Sequence, residues 1–137
     1  MSNETSDVVR RGYEAFGRGD IEGLISLLDE NVEWISSGPP EVPTAGTRRG
    51  HEQVREFFQT VNELFEFDRF EPQTFIAQDD KVVVLGVDAV RLRANNQALE
   101  DNWAHVFTVR NGKITHFQEY IDTSALVEAL RGAEART

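Results

Sequence analysis

The sequence predicts an α+β domain: a cone-shaped, strongly bent, mostly antiparallel sheet with N-terminal helices packed in its concave face. Three observations carry that prediction. Apolar residues recur at helical spacing through the first half of the chain, strand-like runs fill the second half, and residues 101–123 (DNWAHVFTVRNGKITHFQEYIDT) read as a β-hairpin. Asn111-Gly112 lies at its centre, and this dipeptide accepts the positive φ that a type I′ turn requires at both central positions.

Over residues 6–18, Val9, Tyr13 and Phe16 fall on one helical face, and Gly19-Asp20 reads as a C′ glycine followed by the N-cap of a second helix over 20–28. That helix groups Ile21, Leu24, Ile25 and Leu28. Residues 32–35 form a short strand, and 36–47, rich in turn residues, form a loop of the kind that rims a pocket. A third helix opens at Gly50-His51. Its apolar stripe of Val54, Phe57, Phe58, Val61, Leu64 and Phe65 makes it the principal core helix, with Phe57 a candidate ligand contact.

After Pro72 come strands at 73–77 and 81–93 and then the two arms of the hairpin, with turns at Asp79-Asp80 and Asn95-Asn96. A last helix over 125–130 follows Thr123-Ser124, and a polar tail runs from about 132. Strand 81–93 carries Val83, Leu85, Val87 and Ala89 on one face and Val82, Val84, Val90 and Leu92 on the other. Helices cover only one side of such a sheet, so the second apolar face predicts a homodimer through the outer sheet face.

The hairpin register follows from its turn. A two-residue loop pairs Val109 with Ile114, Phe107 with His116, His105 with Gln118, Trp103 with Tyr120 and Asp101 with Asp122, so His105, Trp103, Tyr120 and Asp122 share one face. A bulge would exchange the assignments beyond it.

A chain of 137 residues fits one domain spanning 1–137 with a core of ordinary size. A net charge of −10 argues against nucleic acid and anionic membrane as partners, and no apolar run approaches membrane-spanning length. The absence of cysteine excludes disulfides and thiolate metal sites and agrees with a cytoplasmic location. His51, His105 and His116 lack metal-ligand spacing, so neither a metal nor a cofactor is expected.

Tyr13-Glu14-Ala15-Phe16 with Gly19-Asp20, Val32-Glu33-Trp34, the helix start from Gly50 to Phe58, Asn111-Gly112-Lys113-Ile114 and Glu119-Tyr120-Ile121-Asp122 occur in this order. In that order they resemble the nuclear transport factor 2-like superfamily, and within it the SnoaL-like group of polyketide cyclases, ketosteroid isomerases and limonene-epoxide hydrolases. The resemblance implies the cone fold, an apolar pocket and frequent dimerisation. Tyr13 matches the isomerases' hydrogen-bonding tyrosine, but Trp34 stands near their base and Ala104-His105 near their acid. Gly86-Val87-Asp88 and Asp122 match the hydrolases' Arg-x-Asp and later aspartate, with glycine in place of the arginine; Trp34 and Ser36 stand near their water-positioning residues. Cyclases of the group imply Asp122 as acid/base, with His105 nearby.

Asp122 is the leading candidate for proton transfer on a hydrophobic small molecule, since a carboxyl at an apolar cavity mouth has its pKa raised by desolvation. The same position reads equally as the N-cap of the last helix. His105, flanked by Trp103 and Phe107, is either a pocket donor or a packed core histidine. Asp88 alternates with valines and needs a partner such as Tyr13 or His105, because Arg91 and Arg93 fall on the opposite strand face. Trp34, Trp103, Tyr13 and Tyr120 complete the candidate lining. A non-catalytic carrier would use the same pocket without chemistry.

Overall fold

Four helices and six strands alternate along the described residues, 3–135, of the computed structural model. In chain order they are α1 (Asn3–Gly17), α2 (Ile21–Ile25), β1 (Leu28–Ser36), β2 (Gly46–Arg49), α3 (Gly50–Leu64), β3 (Phe65–Gln78), β4 (Lys81–Leu92), β5 (Ala98–Arg110), β6 (Lys113–Tyr120) and α4 (Thr123–Ala135). The strands form one open, mixed sheet in the order β2-β1-β6-β5-β4-β3. Every neighbouring pair is antiparallel except β1 beside β6. Val8, Val9 and Val54 of α1 and α3 pack with Val82, Val84, Phe107 and Phe117 of the sheet into the core. This is the expected α+β arrangement. Among the described residues no helix is long and apolar enough to cross a membrane.

Several boundaries differ from the sequence reading, each for a local reason. The second helix ends at Ile25 rather than 28, because the Asp20 side chain caps Gly23 N–H at 2.8 Å and Ser26 Oγ donates to the Gly23 carbonyl. The chain is then extended from Leu28, which pairs with Ile114. Strand β2 lies within what reads as loop and helix start. The last helix continues to Ala135, so the expected polar tail is mostly helical, with 136–137 outside the described residues.

The largest difference is β3, which starts at Phe65 and tolerates Pro72 because it is an edge strand. Its register shifts between Phe67 and Arg69 and again between Pro72 and Thr74. Each shift absorbs one residue, so Phe67, Phe70 and Phe75 all reach the inner face despite spacings of three and five residues.

The hairpin turn is as expected, with φ of 54° at Asn111 and 75° at Gly112. The register beyond it is not. A bulge at Thr115 separates the Val109–Ile114 and Thr108–His116 pairs. Beyond it Phe107 pairs with Phe117, His105 with Glu119, and Ala104 with Tyr120, which corrects the expected pairing of Trp103 with Tyr120. Glu119 turns inward, and Tyr120 stands on the outer face, 54% exposed.

Gly86 lies across from Trp103 on β5. A Cβ there would meet the indole at 2.3 Å and the Glu71 carbonyl oxygen at 2.6 Å, so the ring occupies the space a side chain would fill. Gly86→Ala is therefore expected to cost about 2–3 kcal/mol, as overpacking against a fixed backbone does, measured by urea unfolding.

Candidate functional site

Phe75, Val84, His105 and Glu119 are successive cross-strand partners from β3 to β6. Ser36 of β1 extends this row by donating to Glu119 Oε1 at 2.5 Å, and Ser37 Oγ donates to the Glu119 carbonyl. Tyr13 of α1 lies over the row, with its hydroxyl 2.6 Å from His105 Nδ1. His105 Nε2 is 3.6 Å from Glu119 Oε2. A neutral imidazole carries one ring proton. With that proton on Nε2, facing Glu119, Nδ1 accepts from Tyr13.

Aromatic rings fix the imidazole in place. Trp103 stacks on it with centroids 4.0 Å apart, and Phe117 meets it at 4.8 Å. Trp34 stacks on Phe117 at 3.9 Å, and Phe70 on Trp103 at 5.0 Å. These rings line a cavity of about 150 Å³ between the sheet, α1, α3 and the start of α4.

Burial sets the protonation states. It holds the His105 imidazole below its ordinary pKa, against the opposing pull of Glu119. For Glu119, burial favours the neutral acid, but His105 and Ser36 together outweigh it and hold the carboxyl below the usual range. Burial, helped by the negative charge of Glu119, pushes the Tyr13 phenol well up. Near neutrality the row therefore contains a carboxylate, a neutral imidazole and a phenol, with one net negative charge. Asp88, partly buried at the cavity wall, has its pKa pushed up to about 7 by burial first and by Asp101 and Glu119 next.

Of the residues singled out from sequence, Tyr13, Trp34, Phe57, Asp88, Trp103, His105 and Asp122 all line the cavity. Tyr120 does not, because the Thr115 bulge turns it outward. Tyr13 and His105 bond each other rather than Asp88, and no described side chain hydrogen-bonds the Asp88 carboxyl. Asp122 is exposed, and its Oδ1 accepts from Ala125 N–H at 3.1 Å, the N-cap geometry for α4. Its backbone N–H donates to Asp101 Oδ2 at 3.2 Å. Glu119 is the principal residue that sequence reasoning missed, and Ser36 serves as its hydrogen-bond donor. The signal for Glu119 is the spacing of Ile114 and Phe117. Two inward apolar residues three apart in a strand require an extra residue between them.

The buried indole N–H groups of Trp34 and Trp103 reach no acceptor among the described residues.

A family description of the SnoaL-like domain matches residues 9–117. The chain belongs to the SnoaL-like domain family. The match includes Tyr13, Asp88 and His105 and ends before Glu119. An NTF2-like protein of Burkholderia xenovorans LB400 is 39% identical with a TM-score of 0.85, over 94% of this chain and 97% of that one. An NTF2-like protein of unknown function from Burkholderia pseudomallei K96243 is 30% identical with a TM-score of 0.84, over 94% and 98%. TerC, co-crystallised with polyporic acid, is 30% identical with a TM-score of 0.81, over 93% and 98%. No curated protein matches the chain.

The raised pKa of Asp88 fixes the sign of a pH effect. Ionising this carboxyl costs the folded state more than the unfolded one, so its contribution falls as pH rises from its ordinary 3.8 through about 7. Asp88→Asn is expected to flatten that fall and to be more stable than the parent at alkaline pH. The expected gain is about 1–2 kcal/mol after discounting for the carboxyl's partial exposure. Thermal unfolding at a series of pH values measures it.

Proposed function

We propose that the protein binds a hydrophobic small molecule in this cavity and performs acid/base chemistry of the isomerase or cyclase type on it. One observation carries the reading: the Asp88 carboxyl, which no described side chain hydrogen-bonds, shares an aromatic cavity with the ordered Tyr13–His105–Glu119 chain. A pKa near the working pH lets one group both take and return a proton. The His105 and Glu119 pair holds Tyr13 in a fixed orientation, with its oxygen lone pairs free to accept from a ligand. The co-crystallisation of TerC, 30% identical to this chain, with polyporic acid supports a ligand-binding role.

Asp122 is the second candidate for the proton carrier. Its carboxylate lines the cavity but already caps α4, and water reaches it. Asp88 is the stronger candidate because it is desolvated.

The exposed apolar residues Ile76, Leu85 and Tyr120, with Val83 and Val106 between them, support a homodimer through the outer sheet face. The cysteine-free composition suits the cytoplasmic location proposed with it.

Proton exchange at the α-carbon of hydrophobic ketones in D₂O, followed by NMR, tests the chemistry. Asp88→Asn is expected to slow exchange by about 10²–10⁴-fold. Asp122→Asn, whose amide still caps the helix, is expected to retain the parent rate. The reverse pattern would move the proton carrier to Asp122, and a parent rate no faster than the protein-free background would leave a binding role without catalysis. Sedimentation at micromolar concentration is expected to show a species of twice the 15.5 kDa chain mass, and a species of chain mass alone would refute the dimer.

A further inference from the structure

The cavity wall is one-sided in charge. Five carboxylate residues line it, Asp88, Glu100, Asp101, Glu119 and Asp122, and among the described residues no lysine or arginine does. The Arg48 guanidinium lies 5.2 Å from the centre of the Phe57 ring. Its donors are spent on the backbone carbonyls of Pro43, Thr44 and Ala45. The remaining wall is largely aromatic, and aromatic faces carry negative potential that attracts cations.

The polar groups at the centre of the wall favour the same sign of ligand. Glu119, with its side chain 22% exposed, is acceptor-only as a carboxylate. The Tyr13 hydroxyl proton is committed to His105, so its oxygen also offers lone pairs. A carboxylate ligand would enter a low-dielectric site that already holds a negative charge and offers no cation to pair with it. An ammonium would find acceptors and ring faces together.

Resting on the reading of the cavity as a small-molecule site, we propose that it selects a hydrophobic organic cation, an amine or ammonium on a ring system, and rejects carboxylates of the same size.

The chain's two tryptophans both line the cavity, so intrinsic fluorescence reports its occupancy directly. Three spectrally silent probes of one shape separate the terms: 1-adamantylamine, 1-adamantanol and adamantane-1-carboxylate, titrated at pH 7.5. The amine is expected to bind tighter than the carboxylate by about ten-fold or more, with the alcohol between them. Glu119→Gln and, separately, Asp88→Asn should narrow the gap between amine and carboxylate while leaving alcohol binding in place. Two variants on different strands keep the test valid if one fails to fold. Alcohol binding with the carboxylate equal to or tighter than the amine overturns this inference and leaves the small-molecule cavity standing. Failure of all three probes to bind overturns both.

Discussion

One extra residue in β6 governs the site. Thr115 is accommodated as a bulge, and every side chain after it changes faces relative to an unbroken hairpin. Glu119 turns inward as a result, opposite His105 and within reach of Ser36. The buried carboxylate is tolerable because it accepts from Ser36 and faces the imidazole, and the imidazole is in turn held by Tyr13 and the stacked Trp103. Without the bulge, Glu119 would face outward and Tyr120 would face the cavity. His105 would then have lost its anionic neighbour.

The second constraint is steric. Gly86 stands where the resemblance to limonene-epoxide hydrolases implies an arginine. Here the indole of Trp103 takes up that volume, and a Cβ on residue 86 would overlap it. Asp88, two residues on, lines the cavity, and no described side chain hydrogen-bonds its carboxyl. Desolvation and the nearby Asp101 and Glu119 then raise its pKa to about 7.

The helices, the strand order from β3 to β6 and the turn at Asn111-Gly112 were legible because each rests on local chemistry: helical period, two-residue alternation and tolerance of positive φ. The candidate lining was legible for the same reason, since Trp103, His105, Asp88 and Tyr13 lie on segments whose faces follow from period alone. What was misread lies beyond irregularities. Phe67 and Phe70, Pro72 and Phe75, and Ile114 and Phe117 are each three apart, and strict alternation cannot place both members of such a pair inward. Read as bulges, those spacings place the phenylalanines of β3 on the inner face and Glu119 beside His105. Read as breaks in a strand, they shorten β3 and misplace Tyr120. The capping role of Asp122 was an open alternative in the sequence. Only the position of Ala125 N–H distinguishes it from a free carboxylate.

The parallel pairing of β1 with β6 has a bearing on how the cavity comes into being. The β3–β6 meander is built from neighbours in sequence, but β1 joins it across most of the chain, with Lys113 Nζ reaching the Ser26 carbonyl 87 residues away. Closing so long a loop is entropically costlier than closing a hairpin, so this seam is the least local part of the sheet. Trp34 and Ser36 lie on the far side of it, and Tyr13 is carried by the helix that precedes it. The cavity thus has no existence in a partly folded chain: opening the seam separates Ser36 from Glu119 and removes one wall. A bound ligand would draw its stabilisation from the cooperativity of the whole fold, and would slow the sub-global opening of its N-terminal third.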